Sequence, residues 1–145
     1  MMRHAAGFTL TEMVVVLVIA VVLAAFAIPM FSYREIDNAW FHEQVRAGVR
    51  YAQRTAVAQR RCVFVQVVGT QLRLLYGDAS CVITAIPVRE LATDQAFAID
   101  APSGTALAAA PNPFRFNGLG QPGGAVAVTA GTRTVTVNAE TGYVE

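Results

Sequence analysis

The sequence predicts an α+β domain: a long N-terminal helix, half apolar and half amphipathic, packed on an antiparallel β-sheet of short strands. Three observations predict it. Met13 to Phe31 is an unbroken apolar run; Glu35 to Arg60 is rich in helix formers; and beyond Arg61 the chain turns to short β-branched runs separated by glycine.

The elements follow in order. Met1 to Gly7 is a short leader whose only strongly basic residue is Arg3. The apolar run after it is long enough for a bilayer, which takes about 20 such residues. Glu12 stands at its entrance, where an unpaired acid costs roughly 2 to 4 kcal/mol on insertion scales. An acid held there calls for a cationic partner. Cutting the chain after Gly7 would supply one, the new α-amino group of Phe8, within a helical turn of Glu12 or on a neighbouring copy. An ordinary signal peptide, with Ala20, Ala24 and Ala25 near its cleavage site, leaves the acid unexplained. A plain single-pass anchor leaves Gly7-Phe8 unexplained as well.

Pro29 should kink the helix rather than end it, because membrane helices tolerate proline. Phe41, Val45, Val49, Ala52 and Ala56 recur at three- and four-residue intervals and form a narrow apolar stripe. One helix is therefore expected from about Thr9 to Arg60. Cys62 to Val68 and Gln71 to Tyr76 read as a hairpin about Gly69-Thr70. Further strands are expected at Cys81 to Ile86, Phe97 to Ile99, Phe114 to Phe116, Ala125 to Thr129, Arg133 to Val137 and Tyr143-Val144. Ala101 to Pro113 reads as a loop.

Gly7-Phe8-Thr9-Leu10-Thr11-Glu12 and the apolar run resemble the N-terminus of type IV pilins and of type II secretion pseudopilins. The resemblance implies that a prepilin peptidase cuts after Gly7 and that Phe8 becomes the N-methylated terminus. Glu12 would then serve assembly, and Pro29 matches the family's helix-bending proline. Thr11 departs from the pattern, standing where isoleucine or valine is commoner. The implied domains are a leader (1–7), a transmembrane and filament-core helix (8–33) and a periplasmic head (34–145). Phe114-x-Phe116-x-Gly118 and the closing Thr141-Gly142-Tyr143-Val144 look like the GspH/FimT group of minor pilins and pseudopilins. With two cysteines, this ending is also similar to the MSHA-type pilus biogenesis subgroup.

The resemblance implies a structural subunit that helps initiate or cap assembly of a pilus or a secretion pseudopilus. Its partners would be the prepilin peptidase, major and minor pilins or pseudopilins, the inner-membrane assembly platform and membrane lipid. The protein would begin in the inner membrane with its head in the periplasm and pass from there into the filament. Cys62 and Cys81 would then lie in an oxidising compartment. They are expected either to bond, closing a loop of about 20 residues worth roughly 3 kcal/mol, or to remain two buried thiols.

The formal charge of +1 falls to about zero once Arg3 leaves, which implies no attraction of the whole domain to nucleic acid. Arg46, Arg50, Arg54, Arg60 and Arg61 nevertheless line one helix and its exit. With Arg133 they are candidate phosphate contacts for a FimT-like DNA-binding subunit; a solvated helix face is the plainer account. An uncleaved, membrane-tethered binding module is a third reading. No enzyme, cofactor or metal is expected. Gly118-Leu-Gly120-Gln-Pro-Gly123 spells a dinucleotide fingerprint, but Pro122 and a strand follow it where a helix must. His42-Glu43-Gln-Val-Arg46 has arginine where a zinc-binding helix needs its second histidine.

Overall fold

The computed structural model describes residues 9–27 and 33–145. It divides at Arg34/Glu35 into two compact units, each taken by itself below. The expectations at Gly7, Phe8 and Pro29 lie outside the described residues.

The first unit holds helix α1, Leu10–Ala27. Its side chains from Leu10 to Ala24 are all exposed. A helix that is apolar on every side has no preferred face to turn toward a core, so it needs lipid or other protein all round.

The second unit is the head. Helix α2, Tyr33–Gln59, lies on strands β1 (Val63–Val68), β2 (Gln71–Gly77), β3 (Ile83–Pro87), β4 (Ala98–Asp100), β5 (Leu107–Ala110), β6 (Phe114–Phe116), β7 (Val126–Ala130) and β8 (Arg133–Val137). All pairings are antiparallel. The α+β class holds, but the strands form two sheets rather than one: β3-β2-β1-β6 with β4 also on β2, and β5-β7-β8.

The stripe read from the sequence is the buried face of α2. Phe41, Val45, Val49, Ala52 and Ala56 are at most 1% exposed and join one core with both sheets. Val63, Val65, Leu72, Leu74 and Phe116 meet it from the first sheet, and Val128, Val135 and Val137 from the second. Burying each of the larger side chains stabilises by roughly 1.5 to 3 kcal/mol.

The end of α2 is specified by its own backbone. Arg60 takes a left-handed conformation (φ 50°), Arg61 N–H donates to Ala56 O at 3.2 Å and Arg60 N–H to Val57 O at 3.3 Å. This is a Schellman stop with arginine in place of the usual glycine.

Strand β5 falls inside the expected loop at Ala101 to Pro113. Its Leu-Ala-Ala-Ala sequence has little strand propensity, and it becomes a strand by pairing with β7 from Leu107↔Ala130 to Ala110↔Ala127. Tyr143-Val144 is not a strand; Val144 makes a single bridge to Val137. Cys81 is also outside its expected strand, in a turn with φ 57°. It bonds Cys62 across 5.4 Å between Cα atoms, which resolves the cysteine alternatives in favour of the bridge.

The C-terminal segment runs back beside β8, with Asn138 N–H donating to Tyr143 O and Glu145 N–H to Thr136 O, each at 2.9 Å, and α2 holds it further. Gln53 Nε2 donates to Gly120 O at 3.1 Å, and Arg50 Nη2 donates to Val144 O at 2.9 Å. Gly142 sits at φ 70°, and a Cβ there would collide with the Gly120 carbonyl. Gly142→Ala should therefore cost more than the 1 to 2 kcal/mol of a left-handed residue alone, read as a shift in the urea midpoint. Replacing both Cys62 and Cys81 by serine should cost about 3 kcal/mol for this 19-residue separation, measured in the same titration.

Candidate functional site

The sequence-predicted site begins where α1 begins. Thr9 precedes the helix, and its Oγ1 accepts from Glu12 N–H at 3.3 Å while its carbonyl accepts from Met13 N–H at 3.2 Å. Thr9 is thus the N-cap and Glu12 occupies the third helical position, so Thr9-x-x-Glu12 is a capping-box sequence. A carboxylate in a first turn also meets the positive end of the helix dipole. Glu12 is exposed. Its place at the mouth of an apolar helix therefore has a local reason besides a distant amine. The Thr9-x-x-Glu12 spacing is itself a local signal in the sequence. Thr11, the departure from the pilin pattern, places its hydroxyl 3.1 Å from that of Thr9.

Helix α1 has 18 described residues, about 27 Å at 1.5 Å per residue, against a hydrocarbon thickness of roughly 30 Å. Among the described residues no helix is long and apolar enough to cross a membrane.

The arginines do not form one free stripe. Arg46 Nη1 lies 3.5 Å from Glu43 Oε1, and Arg50 is tied to the Val144 carbonyl. Arg61 donates to Gly77 O at 2.8 Å and stacks over Tyr76 at 4.2 Å. Arg54, Arg60 and Arg133 are exposed and without an acidic partner among the described residues. Sequence spacing put Arg46, Arg50, Arg54, Arg60 and Arg61 on one helix and its exit; the tertiary acceptors of Arg50 and Arg61, invisible to spacing, divide them.

The two sequence decoys resolve into packing. The loop through Gly118 and Gly120 is closed by Asn117, whose Oδ1 accepts from Leu119 and Gln121 N–H at 3.0 and 2.9 Å. A Cβ on Gly118 would come within 3.0 Å of the Arg60 backbone, so this glycine lets the loop seat against the end of α2. His42 is buried, with Nδ1 3.6 Å from Glu43 Oε1. No group of three potential metal ligands occurs among the described residues.

Residues 2–28 match the family described as the prokaryotic N-terminal methylation motif. The chain is also similar in structure to the type IV minor pilin FimU of Pseudomonas aeruginosa PAO1. Against one crystal form the identity is 20%, covering 77% of this chain and 89% of that one, with a TM-score of 0.54. Against a second form the identity is 16%, covering 71% and 86%, with a TM-score of 0.47. No curated protein sequence matches the chain. The N-terminus thus matches the methylation motif, and the head shares its fold with that of a type IV minor pilin.

Arg50 and Arg54 are one turn apart but should respond differently to truncation. Arg50→Ala should cost about 1.5 to 3 kcal/mol, because a charged donor leaves the Val144 carbonyl unpaired. Arg54→Ala should stay within about 0.5 kcal/mol, as an exposed substitution does. Thermal melts of the two variants check the difference.

Proposed function

We propose that this chain is a minor pilin or pseudopilin, made as a precursor, cut after Gly7 by a prepilin peptidase and N-methylated at Phe8. Residues 8–33 hold it in the inner membrane, with Pro29 bending the helix, and residues 34–145 form the periplasmic head. The subunit then enters a type IV pilus or a type II secretion pseudopilus, where it helps initiate or cap assembly beside other pilins and the inner-membrane platform. GspH/FimT-like minor subunits, with the MSHA-type subgroup among them, are the nearest description of its role. It is a structural subunit and a substrate of processing, not a catalyst.

The observation that carries this reading is α1 itself: an all-round apolar helix, N-capped by Thr9, with a carboxylate in its first turn. Moving such a helix from lipid into a bundle of similar helices keeps its apolar surface out of water throughout, so the transfer demands little. What the bundle must supply is a counter-charge for Glu12, and the amine of processed Phe8, on the same chain or a neighbour, is that charge. Binding of DNA through Arg54 and Arg133 is a weaker reading, because Arg46 and Arg50 are engaged within the head.

Mass spectrometry of the mature protein should find methylated Phe8 at the N-terminus; an intact Met1 would instead favour an uncleaved tethered module. Glu12→Ala should leave cleavage intact and cut incorporation into filaments by tenfold or more, scored by immunoblot of sheared filaments against membranes. Wild-type incorporation of that variant would overturn the charge-pairing mechanism.

A further inference from the structure

Trp40 is the only tryptophan of the chain, and it is 68% exposed. Its neighbour Phe41 belongs to the buried stripe of α2, so the indole stands just off the core-facing side of the helix. Tryptophan is highly buried on average, and its large apolar ring carries a single polar N–H. Such a ring left outside the core suits a surface that is apolar on one side and wet on the other.

Chain length brings one such surface within reach. Trp40 lies seven residues into α2, about 10 Å along the axis from Tyr33. Tyr33 is two residues beyond Phe31, where the apolar run ends, a step of at most about 7 Å. Helical side chains lean toward the N-terminus of their own helix, which directs the indole back toward that run. A bilayer adds about 5 to 8 Å of interfacial layer on each side of its hydrocarbon. With the apolar run in the membrane, Trp40 is tethered close to the headgroups, the depth at which tryptophan is enriched.

The surroundings of Trp40 favour lipid over protein. Asn38 Oδ1 accepts from Thr105 Oγ1 at 3.1 Å, a Cβ on Gly131 would stand 3.2 Å from the same oxygen, and Ala101 N–H donates to Thr70 O at 2.8 Å. Three turns, about Gly69, Gly104 and Gly131, therefore gather at the end of the head where α2 begins. Val68, 47% exposed, is the other large apolar side chain on them. Arg34, Arg73 and Arg133 balance Glu35, Asp37 and Asp100 in charge, and Glu43 faces Arg46. No strong field of either sign is left to select a charged partner. One ring among polar turns also offers little of the roughly 800 Å² per partner that a specific protein interface buries. A single ring is enough to enter a fluid lipid surface.

We propose that, before assembly, this end of the head rests on the periplasmic surface of the membrane, with Trp40 inserted at headgroup level as an anchor. The ring then fixes the depth and rotation at which the apolar helix sits. The inference rests on residues 8–33 being a membrane anchor.

The test uses the full-length protein inserted into preformed phosphatidylcholine vesicles and reads the fluorescence of Trp40 itself, since no other tryptophan competes. Nitroxide lipids labelled near the headgroup should quench it about threefold more strongly than lipids labelled near the chain ends, or than aqueous iodide. Mixing in anionic phosphatidylglycerol should change nothing. With Trp40→Phe and Leu119→Trp, the tryptophan sits at the far end of α2 and should be quenched by iodide and not by lipid. Quenching of Trp40 mainly by iodide overturns the anchor, as does shielding from iodide without quenching by lipid, the mark of a protein cover. Lipid quenching that needs anionic lipid, or that is equal at position 119, overturns it as well. Protein that fails to float with the vesicles overturns the membrane reading of residues 8–33 instead.

Discussion

One helix face holds the head together. Phe41, Val45, Val49, Ala52 and Ala56 are all withdrawn from water, and they meet two sheets that share few direct pairings with each other. The smaller sheet, three strands of four or five residues, closes off little apolar surface by itself. The interface with α2 makes one domain of them. Asn112 adds a smaller link, since its amide both accepts from Val67 N–H and donates to Val67 O at 2.9 and 2.8 Å. It thereby completes β1 beyond the reach of β6, whose pairing stops at Val65.

Around that interface the polar contacts serve position more than energy. Arg50 and Gln53 reach from the flank of α2 to the backbone of the last residues and of the Asn117 loop. Arg61 and the disulfide secure the turn after β2 from the other end of the helix. Two of the arginines that could be a binding surface in the sequence, Arg50 and Arg61, hold the helix to its surroundings. Arg54, Arg60 and Arg133 stay exposed and without an acidic partner among the described residues.

How much of this was legible in the sequence depended on whether the signal was local. The α2 stripe, the Val63–Tyr76 hairpin and the strands at Phe114 and Arg133 came from periodicity and turn residues within a few positions, and they stand in the fold. Leu107–Ala110 was missed because alanine carries no strand signal, and only its partner β7 makes it one. The division into two sheets was likewise out of reach, because sheet membership is decided by pairing between distant segments. At the N-terminus the motif and a helix start at about Thr9 were legible, but not what Thr9 does there. Its hydroxyl proves to be the acceptor that starts the helix.

That hydroxyl has a consequence for maturation. The acceptor for the Glu12 amide lies on the retained side of Gly7-Phe8, so trimming the chain there would remove no group from the first turn of α1. Cleavage would therefore alter the electrical character of the rod's tip while its shape is already set. On the proposed processing, the first turn of α1 would keep its cap through cleavage.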